Sequence, residues 1–237
     1  MVGAVEATRH VSAALRPLVL IGAGGLAREV AEAVHAVNSL DARWQLMAVF
    51  DDAEHLLGTR VAGVRVLGPV EAVRDVPDAQ VVVCVASPDE PRRRQRLVAR
   101  LELADDRFAT VVHPSASLAG STRLGPGSVV LALSVTTADV TIGSHGVVMP
   151  GTVLTHDDVV GDCCTFGAGA RLAGAVVVGD GAYVGSSAAV RESCRIGAGA
   201  LVGMGAVVTR DIPPDEVWAG VPARRIASAG ARMAPVC

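Results

Sequence analysis

At 237 residues the chain has room for one or two domains, and 51% hydrophobic against 3% aromatic residues calls for a core of small aliphatic side chains. A net charge of −3 argues against a broad basic face for nucleic acid, and all 21 Lys-plus-Arg cations are arginine, which removes lysine Schiff-base and P-loop chemistry. Five cysteines, an odd number, argue against a disulfide framework, and none has metal-ligand spacing, so no metal site is expected. With no apolar run of 18 residues and no signal-peptide core in the first 16, the expected location is the cytoplasm.

Residues 1–16 read as an extension that is partly helical. Leu18–Ile21 then makes a buried strand, Gly22, Ala23, Gly24 and Gly25 a tight turn, and Leu26–Val37 an amphipathic helix. A second strand, Leu46–Phe50, ends in Asp51 and Asp52, where a dinucleotide fold places a ribose-binding acid. A third, Val81–Val85, leads through Ser87 and Pro88 into an Arg-rich helix from Arg92 to Leu103. Strand and helix alternate up to Phe108, which implies a parallel sheet over 17–110. That length is half a Rossmann fold, without the second half that holds a dinucleotide. The Gly turn can still offer N–H groups to a phosphate, or serve only as a close strand–helix connection.

From Val112 to Val208 every sixth residue is apolar except Thr136, over 17 positions without a slip. Small side chains recur four residues after most of them, among them Ala116, Ser128, Cys164, Ala182 and Ala206. A fixed period of six is the mark of a parallel β-helix. Alternation across each short strand turns the aliphatic residue i and the small one at i−2 inward, so the turn falls at i+2 and i+3. Glycine recurs at i+1, as at Gly125, Gly161 and Gly197, where a bending backbone is least strained with no side chain. The outer face with Val111, Val129, Leu131, Val147, Met149, Tyr183 and Leu201 is apolar and is expected to be a subunit interface. Asp211–Pro214 ends the repeat, Trp218–Arg225 reads as a short tail, and 227–237 as frayed.

The segment Thr155–Asp162, with His156 followed by Asp157, resembles the signature of the sialic-acid O-acetyltransferase and nucleotide-amino-sugar N-acetyltransferase family, and Ala219–Arg224 is similar to its closing motif. The resemblance implies a Rossmann-like acceptor-binding domain (17–110), a left-handed β-helix acyltransferase domain (111–213) and a tail (214–237), assembled as a homotrimer with acetyl-CoA as co-substrate. It places the nucleotide-linked sugar at Gly22, Gly24 and Asp51 or Asp52. Met149 and Thr165 stand where the family often carries Asn and His.

Hexad register puts His156 at i+2, on an outer corner, where register alone fits a plain surface histidine as well as a functional one. Corners stack every 18 residues, so Ala138 and Asp139 lie on one side of His156 and Asp157, and Gly174 and Ala175 on the other. A base, a geometry that accepts the proton and an oxyanion donor such as a Gly N–H are the parts that thioester acyl transfer needs. His156, Asp157 and Gly174 are therefore the candidate catalytic set, with Gly174, Ala175, Arg191, Arg224 and Arg225 toward CoA. His145 and His113 sit at other turns. N-acetylation of a nucleotide-linked amino sugar is the leading reading. O-acylation of a hydroxyl and a non-catalytic trimeric scaffold are the alternatives.

Overall fold

The computed structural model describes residues 15–229, so most of the expected N-terminal extension and the end of the tail, including Cys237, lie outside the described residues. Strand β1 (Arg16–Ile21) is followed by α1 (Gly25–Leu40), β2 (Trp44–Phe50), a hairpin of β3 (Arg60–Val61) and β4 (Val64–Gly68), then β5 (Gln80–Val83) and α2 (Arg93–Leu101). The sheet order is β3-β4-β2-β1-β5, parallel except for the hairpin pair. The parallel core β2-β1-β5 is the expected half Rossmann unit. The small hairpin is an addition that the two-residue β3 was too short to announce. Among the described residues, no helix is long and apolar enough to cross a membrane.

Phe108 bridges to Val81 beside β5, and the chain passes at once into 17 two-residue strands, from Val111–Val112 to Val207–Val208. They stack in parallel at 18-residue intervals into the three faces of a left-handed β-helix, the first starting at Val111–Val112, the second at Ser117–Leu118 and the third at Arg123–Leu124. On the second, Val153 pairs with Val135 below and Arg171 above. The inward set is as the register requires: Leu154, Phe166, Leu172, Val184 and Ile196 fill the axis with Ala170, Ala182 and Ala188 between them. Each such large side chain contributes about 1.5–3 kcal/mol on burial. Thr136, the polar exception, is satisfied by the Thr122 hydroxyl at 2.6 Å.

The turns correct one expectation. The left-handed backbone falls at i+3, at every hexad from Gly127 to Gly205, eight of those residues being non-glycine. The i+1 glycines have no positive φ. They are needed because the next coil runs against them: an added Cβ would stand 2.4 Å from the Ser144 nitrogen at Gly125 and 2.3 Å from the Pro214 nitrogen at Gly197. Glycine there sets the close approach of coils, not the bend.

A second correction concerns the apolar outer face. Val111, Val129, Leu131 and Val147 are buried within this one chain, in a single cluster with Ala27, Val30, Ala31 and Val34 of α1, and Met149 packs against it. Helix α1 thus lies between its own sheet and the coil, which explains why its buried residues exceed one stripe. The face expected between subunits is where the two halves of one chain meet. The tail differs too. Glu216–Ala219 extends the first face as a strand beside Leu201–Val202, and Arg224–Ser228 folds back on it as an antiparallel hairpin.

Candidate active site

His156 lies on the corner between the second and third faces, where Leu154's strand ends and Val159's begins. Its Nδ1 stands 2.8 Å from Asp157 Oδ2, and both side chains are nearly two-thirds exposed. Asp157 occupies the left-handed turn position (φ 63°). The pair is locked into the stack, the Asp157 N–H donating to the Ala138 carbonyl at 3.0 Å and the Ala175 N–H to the His156 carbonyl at 2.8 Å. The imidazole lies against Gly174 of the next coil: a Cβ there would be 2.2 Å from Cε1 and 2.3 Å from Nε2. Any residue but glycine would displace the ring. Among the described residues the Gly174 N–H has no acceptor.

With Nδ1–H donating to Asp157, Nε2 carries the lone pair that can take a proton. An imidazole, an orienting carboxylate and an N–H in the next coil can together carry proton transfer and stabilise a developing oxyanion.

A second region lies at the carboxyl ends of β1, β2 and β5, where open α/β sheets hold ligands. A cavity of about 620 Å³ there is lined by Gly22, Asp51, Asp52, Val70 and Val85 and, from α2 and its approach, by Glu90, Arg93, Arg96, Leu97 and Arg100. Gly22 (φ 97°) makes the turn, and a Cβ on it would meet Val85 Cγ2 at 2.9 Å. Asp51 accepts the Ala23 N–H at 2.7 Å and the Ala53 N–H at 2.9 Å, which holds the Gly-rich turn against the next strand's end. Burial would raise the Asp52 pKa, but the Arg100 guanidinium and the Val70 N–H outweigh it and keep the carboxyl below the ordinary range. Gly24 caps α1 in open space and does not line the cavity.

The residues expected to hold CoA are less well gathered. Ala175 flanks Gly174, and Arg191 is exposed on the second face beside the same corner. Arg224 and Arg225 belong to the terminal hairpin, on the first face, and Arg225 is engaged by Glu216 at 2.9 Å. Within the chain they do not share the His156 corner. Arg210, exposed at i+2 of the last hexad, does share it, and 18-residue stacking from His156 would have found it.

Sequence reasoning also passed over Arg94, which is buried on the inner side of α2. Its Nη1 donates to the Val85 carbonyl (2.7 Å), and its Nη2 to the carbonyls of Cys163 and Cys164 and to the Thr165 hydroxyl, each at 2.8 Å. Thr165 and Met149 therefore both serve the contact between the two halves of the chain.

Known proteins resemble this chain in both of its halves. Residues 17–101 match the family described as PglD N-terminal domain. A stretch of 123 residues is 35% identical to UDP-N-acetylbacillosamine N-acetyltransferase of Bacillus subtilis (strain 168), over 50% of this chain and 52% of that protein. The chain thus spans about half the length of this curated relative. A histidine-to-asparagine variant of perosamine N-acetyltransferase from Caulobacter crescentus, solved with CoA and GDP-perosamine, is similar over 90% of this chain and 97% of that one, with 33% identity and a TM-score of 0.78.

This chain belongs to the nucleotide-amino-sugar N-acetyltransferase family.

The acetyltransferase domain of PglB from Neisseria gonorrhoeae FA1090, solved with acetyl coenzyme A, is similar at 28% identity and TM-score 0.78 over 90% of this chain and all of that one. In this chain the stretch matched by that N-terminal domain is the half Rossmann unit, and the left-handed coil follows it.

Proposed function

We propose that this chain transfers the acetyl group of acetyl-CoA to the amine of a nucleotide-linked amino sugar, with His156 as general base. The observation that carries the reading is the His156 ring, tied to Asp157 at 2.8 Å and laid over a glycine that alone leaves room for it. In the proposed reaction the acceptor nitrogen attacks the thioester carbonyl and its proton passes to His156 Nε2. The Gly174 N–H stabilises the oxyanion. As the tetrahedral intermediate collapses, the C–S bond breaks and His156 returns the proton to the departing thiolate, giving amide and free CoA thiol. Asp157 holds the tautomer and stabilises the transient imidazolium.

The acceptor's nucleotide belongs in the cavity at Gly22, Asp51 and Asp52. Since the N-terminal half covers the His145 corner and not the His156 corner, the acceptor's amine meets His156 of a neighbouring subunit of the trimer. Arg93, Arg96 and Arg100 on its wall suit the charge of a nucleoside diphosphate. CoA runs along the corner from Gly174 and Ala175 toward Arg191 and Arg210. We place the reaction in the cytoplasm and the working unit as a homotrimer. Its contacts come from the faces that α1 leaves open, where Val159 is about half exposed (49%) and Val135, Val153 and Val177 are partly so. The domain bounds 17–110 and 111–213 belong to this reading.

The test is thiol release from acetyl-CoA with UDP-, GDP- and dTDP-linked amino sugars, comparing the wild type with His156→Ala. Turnover with one acceptor, lost in the variant, is expected. Equal turnover in the variant would remove His156 from the chemistry.

A further inference from the structure

The mechanism leaves one ionisable group unused beside the site. Asp158 sits at an inward position of the coil, in the register that holds Ser128, Ser134, Thr152 and Cys164, and is fully buried. A carboxylate is costly there unless its oxygens are met. Both are: Oδ2 accepts the Thr155 N–H at 2.8 Å and Oδ1 accepts the Val176 N–H of the next coil at 2.9 Å. Burial still raises its pKa to about 6, against the pull of these two N–H groups and of nearby His156, and with Asp157 adding to the rise.

The two donors are not arbitrary. Thr155 precedes His156, and Val176 follows Gly174 and Ala175. The strap from inside lies opposite the Ala175-to-His156 hydrogen bond outside (2.8 Å), so the turn bearing the base and the turn beneath its ring are tied together from both sides. Thr155 adds a third link, its hydroxyl donating to the Leu172 carbonyl at 3.0 Å. Ser128 shows what the same register does with one oxygen: its hydroxyl accepts the Gly146 N–H one coil on, at 3.0 Å, and donates to the Gly143 carbonyl. It accepts no N–H from its own turn. Among the described residues Asp158 alone in this register has the second acceptor.

We propose that Asp158 is a positioning residue for the acetyl transfer: by accepting the Thr155 and Val176 N–H groups at once, it fixes the His156 ring over Gly174. The inference rests on the reading of His156 as the base. It deepens that reading by assigning a task to a core carboxylate that touches no substrate.

Asp158→Ser is the discriminating variant, because Ser128 shows that serine fits this register and keeps the cross-coil bond while losing the grip on Thr155. With acetyl-CoA and the panel acceptor that the wild type turns over fastest, kcat should fall about 10- to 100-fold, with KM for acetyl-CoA within threefold. In a His156→Ala background the same substitution should cause no further loss, since a residue acting through His156 has nothing left to orient. Amide hydrogen exchange needs no turnover: exchange at Thr155 should rise at least tenfold and at Val176 less than threefold. Asp158→Asn, whose amide can accept only one of the two N–H groups, should also lower kcat with KM for acetyl-CoA within threefold. A kcat within twofold of wild type, a proportional loss in the His156→Ala background, or unchanged exchange at Thr155 would each overturn the proposal. If the wild type turned over no acceptor, the functional reading would fail, and exchange at Thr155 would still decide whether the strap exists.

Discussion

Two histidines stand at turns of the same coil, eleven residues apart, and the structure gives them opposite fates. His156, at the first turn residue, is exposed, tied to a carboxylate and laid over Gly174. His145, at the second, is 4% exposed, its ring edge-on to Phe108 at 4.5 Å and 89°, against Gly127, where a Cβ would stand 2.3 Å from its Nδ1. Among the described residues that Nδ1 has no hydrogen-bond partner. Burial, and next the charge of Arg94, hold the His145 pKa below the ordinary value, with Asp162 and Asp105 opposing. Both rings need a glycine one coil away. Which of them meets solvent is decided by what covers the corner, and the N-terminal half covers only one.

Substitutions at the two corners should therefore separate activity from stability. The largest effect is expected from His156→Ala, a loss of about 10²- to 10⁴-fold in kcat, with a melting temperature close to wild type, measured by thiol release and calorimetry. Gly174→Ala should come next. Its clash is with the movable ring and not with backbone, so the fold should persist while kcat drops about 10- to 100-fold as the imidazole swings away. His145→Ala should do the reverse, costing about 1–3 kcal/mol of stability in denaturant titration while kcat per folded molecule stays within about twofold. The same residue gives a pH test. A histidine kept neutral by the fold stabilises fully above its unfolded pKa, and that contribution is lost as pH falls below it. The gap in melting temperature between wild type and His145→Ala should narrow from pH 7.5 to pH 5, and a constant gap would contradict a neutral buried ring. The smallest effect, under about 1 kcal/mol, is expected from Arg92→Ala, which breaks the half-exposed ion pair with Asp215 between α2 and the terminal hairpin.

The coil was legible because its constraint repeats: one register placed Leu154 inside, His156 outside and Gly174 beneath it. The half Rossmann unit was legible from its Gly turn and apolar strands. What register does not report is the partner of an outward face. Val111, Val129 and Met149 read equally as a subunit contact and as the seat of α1, since the sequence gives apolarity without saying which surface answers it. Arg94 was hidden for a related reason. It stands in the run Arg92, Arg93, Arg94, where only the helix phase separates a surface cation from a buried one. Asp158 was hidden because carboxylates are expected in water, and this one finds one donor in its own turn and the other one coil on, 18 residues away.

Helix α2 has a consequence for whatever enters the cavity beside it. Arg93, Arg96 and Arg100 line that space, while Arg94, between the first two, grips three oxygens of the coil from the opposite side. A wall bolted to the coil cannot wait for a guest to shape it. Its entropy was surrendered on folding, so binding here draws on preorganisation, and the affinity need not be taxed to order the helix that provides it.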